Sequence, residues 1–169
     1  MRARRWVVTG SAWIMALAIV VTIISAQTPA TVPYPQDFRS WQHVKSIVIG
    51  PEHTSFARRG GIHHYYANEE ALEGYRTGRF PNGSVIVDEG VLTKDGEGPA
   101  KGIVMESGRR SLDVMMKNDR LYSDTSGWGF EHFDGDDKTG RLDIKGRTQC
   151  HECHAKSKDK DLVYSSIRP

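Results

Sequence analysis

Cysteine is scarce, with two in 169 residues. That is too few for a disulfide-framework fold, so the role of the pair has to come from where it sits. An excess of either charge is missing as well. The 23 Lys and Arg against 21 Asp and Glu leave a formal +2, which offers no basic surface for sequence-independent nucleic-acid binding. Length excludes a multidomain machine: a chain of this size with 38% apolar and 26% charged residues has the profile of one soluble domain. There is no internal repeat.

What is present begins with MRARRWVVTGSAWIMALAIVVTIISA, residues 1–26. A basic start, an uncharged and mostly apolar run, and small residues at its end form an export segment. The run from Trp6 to Ala26 has 21 residues, which suits either a cleaved signal peptide or an N-terminal membrane anchor. Either way the arginines stay cytoplasmic and the remainder is translocated, predicting a periplasmic domain that is free after cleavage or anchored through residues 6–26. Without Arg2, Arg4 and Arg5 the balance is 20 basic against 21 acidic residues, so the working domain is nearly neutral.

Residues 27–36, QTPATVPYPQ, carry three prolines and read as an extended linker, with the folded domain spanning 37–169. Asp37 can cap a helix that places Phe38, Trp41 and Val44 or Lys45 on one face. The pattern then turns to β. Residues 46–50, 62–68, 83–92, 101–107, 111–119 and 127–133 are short, rich in β-branched and aromatic residues, and bounded by Gly, Asn, Asp and Pro, which predicts antiparallel strands. One helix interrupts them at residues 69–78, with Asn68 as its cap. Thr93–Gly102 and the alternating charges of Lys156–Asp161 read as solvated loops. The fold class that follows is α+β, mainly antiparallel sheet with a few helices.

The chemistry is concentrated at Cys150-His151-Glu152-Cys153-His154. Two cysteines three positions apart with histidine next form the attachment motif of a c-type haem. On one helical turn the two sulfurs lie on the same face, where they can add to the two porphyrin vinyl groups as thioethers. His154 shares that face and can reach the iron as proximal ligand. Other readings of the same residues are a zinc site, which lacks a second CxxC or a nearby histidine pair, a thioredoxin-like redox pair, which normally follows a first strand in a βαβ unit, and a short-loop disulfide, which gives His154 no role. Export favours the haem. His151 and Glu152 read as solvent-facing spacers.

The stretches GGIHHYYAN (60–68), GYRTGRFPNGSVIV (74–87), GRRSLDVMMKN (108–118), GWGFEHF (127–133), CHECH (150–154) and DLVYSSIRP (161–169), in this order, resemble the cytochrome P-460 family. The resemblance runs from about Tyr34 to Pro169, and the G-x-F-x-x-G-x-V-x-V and G-W-x-F blocks carry more of it than the generic CxxCH. It implies a β-rich domain with one covalently attached, five-coordinate haem c, an open distal pocket for a small-molecule ligand, a homodimer and a redox partner protein. Members that oxidise hydroxylamine cross-link a lysine to the haem. Here Asp88 stands at the matching position and cannot form that bond, and the proton-relaying acid falls on Asp113.

Alternation puts Ser84, Ile86 and Asp88 on one face of their strand and Asp113, Met115 and Lys117 on one face of theirs. If both faces look at the haem, Asp88 and Asp113 form a carboxylate pair able to relay protons as catalytic groups, with burial or mutual repulsion keeping one protonated. The plain alternative makes Asp88-Glu89-Gly90 a solvated bulge and pairs Asp113 with Arg109 or Arg110. Those arginines are also candidates for holding haem propionates. His63 and His64 point to opposite faces, so at most one meets the haem. A sixth ligand from one of them, or from Met105, Met115 or Met116, would instead make the protein an electron-transfer cytochrome. Trp128, Phe130 and Phe133 read as core or haem-flanking residues. Two functions follow: redox or small-ligand chemistry on hydroxylamine or a nitrogen oxide at an open iron, or electron transfer at a closed one.

Overall fold

A computed structural model describes residues 30–168; the export segment lies outside them. Five strands form one antiparallel sheet in chain order: β1 (Gln42–Ile49), β2 (Gly61–Ala67), β3 (Val85–Asp95), β4 (Val104–Lys117) and β5 (Trp128–Asp134). Three helices accompany them, α1 (Phe56–Arg59), α2 (Glu69–Thr77) and α3 (Ile144–His154). This is the α+β arrangement that the alternating hydrophobic pattern predicts. Among the described residues no helix is long and apolar enough to cross a membrane.

Both faces of the sheet are covered, by different parts of the chain. On one face α2, α3 and the residues after α3 bury Val44, Ala67, Ile86, Met115, Trp128 and Phe130. On the other, the segment before β1 covers Val87, Leu112, Val114 and Phe133. Residues 30–36 form no helix or strand, as their prolines require. Their side chains nevertheless belong to the core: Val32 is buried and Tyr34 stacks edge-on against Phe133 at 5.1 Å.

The elements before β5 differ from the sequence pattern in several places. The helix expected after Asp37 is a single 3₁₀ turn, Phe38–Ser40. Asp37 adopts a left-handed conformation (φ 53°) and makes no side-chain cap, while a ladder of seven residue pairs with β2 draws residues 42–49 into strand. The two strands expected at 101–107 and 111–119 are one, β4, bent at Gly108, whose φ of 152° suits glycine. The polar turn expected from Thr93 is shorter, because β3 runs on to Asp95.

Helix α2 shows how few residues set an element. Asn68 accepts the Ala71 N–H at 3.0 Å as a cap and the Val85 N–H at 2.8 Å, and donates to the Gly83 carbonyl at 2.9 Å. One side chain thus starts the helix and ties it to the start of β3. Asn68→Ala leaves two backbone N–H groups unpaired and is expected to cost about 2 kcal/mol, read as a shifted urea midpoint with unchanged slope; a loss under about 0.5 kcal/mol contradicts the assignment.

Candidate functional site

Helix α3 places the cysteine pair against the sheet. Asp143 caps it, accepting the Gly146 N–H at 2.7 Å, and it packs against β5. Cys150 is half-buried against the core, Cys153 is exposed, and both thiols are free. His154 ends the helix with its ring between Phe130 and Tyr164, each 5.2 Å away between centroids. Its Nδ1 lies 2.8 Å from the Leu162 carbonyl oxygen. A carbonyl only accepts, so the proton sits on Nδ1 and Nε2 keeps its lone pair. Nε2 has no hydrogen-bond partner among the described residues. Burial lowers the pKa of this ring, outweighing the carbonyl bond that raises it, so the imidazole is neutral. A ligating histidine needs this state, held by a backbone carbonyl on its other nitrogen.

The chain reaches Leu162 by a route that the charge pattern of Lys156–Asp161 does not suggest. Instead of a solvated loop, residues 155–160 form 3₁₀ turns with Ser157 buried. Asp161 then turns inward, accepting Lys117 Nζ at 3.1 Å, the Trp128 indole N–H at 3.4 Å and the Phe80 N–H at 3.0 Å.

Between α3 and the sheet lies a cavity enclosing about 180 Å³, and about 710 Å³ with its open mouth. Cys150, His154, Val163 and Tyr164 line it from one side; Tyr65, Ile86, Asp88, Asp113, Met115 and Phe130 line it from the sheet, with Arg59 from α1. A wider groove of about 840 Å³ on another side of α3 shares only Phe130 with it. The register explains the lining. Tyr65 pairs with Asp88, Asp88 with Asp113, and Asp113 with His132, so a polar row crosses four strands; Ala67, Ile86, Met115 and Phe130 form an apolar row beside it.

Asp88 and Asp113 thus sit directly opposite each other, and each has its own histidine. Asp88 accepts from Arg59 at 2.5 Å and from His63 Nδ1 at 2.7 Å, while His63 Nε2 donates to the Arg59 carbonyl at 2.7 Å. Both ring nitrogens face acceptors, so His63 is an imidazolium although almost fully buried. Burial pulls its pKa down, but the hydrogen bond and charge of Asp88 outweigh it and the net shift is upward. His132 bridges Asp113 (2.7 Å) and Asp134 (3.0 Å). The bond to Asp113, more than burial, sets its pKa at about 9. Tyr65, half-buried beside Asp88, holds its phenolic proton more tightly than a free tyrosine.

Several sequence expectations change here. Asp88 and Glu89 are buried, so they form no solvated bulge; the ladder irregularity falls between Gly90 and Val91. Asp113 pairs with His132 and not with an arginine. Arg109 holds Glu89 at 2.8 Å, and Arg110 reaches the Arg58 carbonyl at 3.4 Å with its Nε buried and unpartnered. The cation in the cavity is Arg59, which stands in a stretch without pattern. His64 bonds Ser46 and Glu106, and Met116 packs in the core of the other face. Met105 pairs with Lys94 far along the hairpin. Of the candidate sixth ligands only Met115 lines the cavity. Trp128 and Phe133 are fully buried core residues, whereas Phe130 flanks His154.

The donor set fits a c-type haem: two free thiols one turn apart, a neutral imidazole with a bare nitrogen, and an apolar row on the facing wall. Among the described residues no three His, Cys, Asp or Glu side chains converge to hold a metal ion. A CxxCH helix laid over such a cavity is a site of the c-type cytochrome class. The chain belongs to the Cytochrome P460 family, whose model matches residues 35–165. Membership implies a covalently bound haem c. No curated protein matches the chain.

Proposed function

We propose that the protein is an exported mono-haem c-type cytochrome that binds a small nitrogen compound, such as nitric oxide or hydroxylamine, at an open iron site and carries out redox or ligand chemistry on it. Cys150 and Cys153 hold the haem and His154 Nε2 ligates the iron. Bound there, the haem supplies the redox-active metal. The observation that carries an open site is His63: the imidazole on the cavity side of the sheet has both nitrogens committed, to Asp88 and to the Arg59 carbonyl, so it has no lone pair to offer. Arg59, Tyr65 and Asp113 are left to bind and orient a polar ligand, with Asp113 handling protons. Asp88 anchors Arg59 and His63 and makes no bond to the haem. A homodimer, a redox partner and a periplasmic location, free or anchored through residues 6–26, complete the reading.

Expression in a host with haem-attachment machinery tests it. The expected product has a high-spin spectrum that shifts on adding nitric oxide, carbon monoxide or hydroxylamine, and a haem peptide bonded through Cys150 and Cys153 alone. A low-spin spectrum indifferent to all three overturns the reading in favour of an electron carrier with Met115 as second ligand. A third covalent bond to the haem removes the claim that no lysine cross-link forms.

A further inference from the structure

Two Asp–His pairs lie along one row of the sheet, and their surroundings differ. In the inner pair the side chains of His63 and Asp88 are 1% and 10% exposed. The far nitrogen of His63 meets a backbone carbonyl, which cannot pass a proton on. In the outer pair His132 and Asp113 are 32% and 37% exposed. The far nitrogen of His132 meets Asp134, itself 61% exposed and held by Arg141 at 2.9 Å.

We infer that the cavity exchanges protons with solvent through His132, whose Nδ1 serves Asp113 and whose Nε2–H is anchored by Asp134, while the pair of His63 and Asp88 is a closed structural clamp. This rests on the ligand-binding reading above and names the proton path of the same site.

The step balances without a further reactant. In the resting state His132 carries protons on both nitrogens, one directed at each carboxylate. When a ligand in the cavity takes up a proton through Asp113, the Nδ1 proton crosses to the carboxylate. Neutral imidazole remains, still bonded to Asp134 through Nε2–H. The bare nitrogen is then Nδ1; once Asp113 has passed its proton to the ligand, the ring, 32% exposed, takes one proton at Nδ1 from solvent, so the ligand gains one proton and bulk solvent loses one, while Nε2–H stays bonded to Asp134 throughout. Proton release from the ligand runs the same steps backwards. Asp134 and Asp113 together hold the ring plane during the transfer, and Arg141, which also pairs with Asp137 at 2.6 Å, steadies Asp134. The other charges near the row are Asp88, paired with Arg59 and His63, and Glu131, which lines the cavity, accepts the His132 backbone N–H at 3.1 Å and lies 3.6 Å from Arg147. His132 is a positioning and relay residue; Asp113 is the group that faces the ligand.

The test uses haem-loaded protein, hydroxylamine as probe and an artificial electron acceptor; slow turnover suffices. His132→Asn is expected to slow hydroxylamine consumption at pH 7 about a hundredfold, the scale of losing one general acid–base group, and to abolish a break in the rate profile near pH 9. Added imidazole restores part of the rate. Asp134→Asn, a surface change with no demand on folding, moves that break downward. Nitrogen-15 spectra of the histidines give a readout apart from turnover. His132 stays doubly protonated between pH 6 and 8, and Asp113→Asn returns its titration towards the ordinary value of about 6.5. A His132 that titrates near 6.5 in the parent protein, or a His132→Asn variant with parental rate and pH profile, overturns the relay alone. Failure to take up hydroxylamine or nitric oxide at all overturns the functional reading and the relay with it.

Discussion

Replacing Cys150 and Cys153 together by alanine is expected to abolish covalent haem: protein made alongside haem-attachment machinery will show no haem stain on a denaturing gel, and its mass will equal that of the bare polypeptide. Positions 150 and 153 lie one turn apart on α3, and these are the two cysteines of the chain, so no other thiol can take over. The single variants should differ from the pair. Each retains one thiol and with it one possible thioether. Cys150 lies in the cavity wall whereas Cys153 is exposed, so Cys150→Ala also opens a small void against the core. His154→Gln keeps both thiols, and its expected phenotype is attached haem with altered spectra. Covalent haem surviving in the double variant would refute the attachment site and with it the proposed function.

The second large effect is expected at Asp161. Asp161→Ala should lower stability by about 3 kcal/mol, because the buried ammonium of Lys117 loses its nearer carboxylate and keeps only Asp119 at 3.5 Å and the Ser126 carbonyl at 3.2 Å, while two N–H donors lose their acceptor. Lys117 and Asp161 are 9% and 12% exposed, and Asp161 also satisfies the Trp128 indole and the Phe80 amide. Changing Lys117→Met in the same chain should recover part of the loss, since the buried ammonium disappears, but not all of it, since two N–H donors stay unpaired. Urea unfolding of the two variants measures both numbers. A loss below about 1 kcal/mol would show that the pair is solvated in practice. The variant should also perturb the haem spectrum, because the residue next to Asp161 supplies the carbonyl that fixes His154.

Much of this was legible beforehand, and the line between legible and hidden follows physical range. Helix α2 declares itself through Asn68 at its start and Gly78, with φ 77°, at its end. The strands declare themselves by alternation, which also groups Asp88 with Ile86 and Asp113 with Met115; that these faces meet the haem followed only from the family resemblance. Alternation does not reveal which side chain lies across the next strand. His63 and Asp88 are 25 positions apart and Asp113 and His132 are 19; each contact depends on a register set by turns and irregularities between them. The partners of Arg59 and Asp161 were hidden for the same reason. Leu162 was hidden more deeply, because it acts through its backbone carbonyl, which any residue type has. Asp37 is the reverse case: a good local cap signal lost to the strand pairing that claims the residues after it.

The strand order holds a consequence for how the molecule comes together. Each strand lies beside its neighbours in the chain, so the sheet can assemble through successive hairpins, each closing a short loop at small entropic expense. The contacts that hold the last segment over the sheet are of another kind. Lys117 meets Asp161 across 44 positions, Tyr75 meets Ser165 across 90, and Lys45 meets Ser166 across 121. Large loops close slowly, so the sheet precedes its cover, and the apolar row of Ala67, Ile86, Met115 and Phe130 stays open to solvent until the last segment settles. During that interval a haem held on Cys150 and Cys153, as proposed, would find this row uncovered, and the row would offer it the apolar contact that the final segment later closes over.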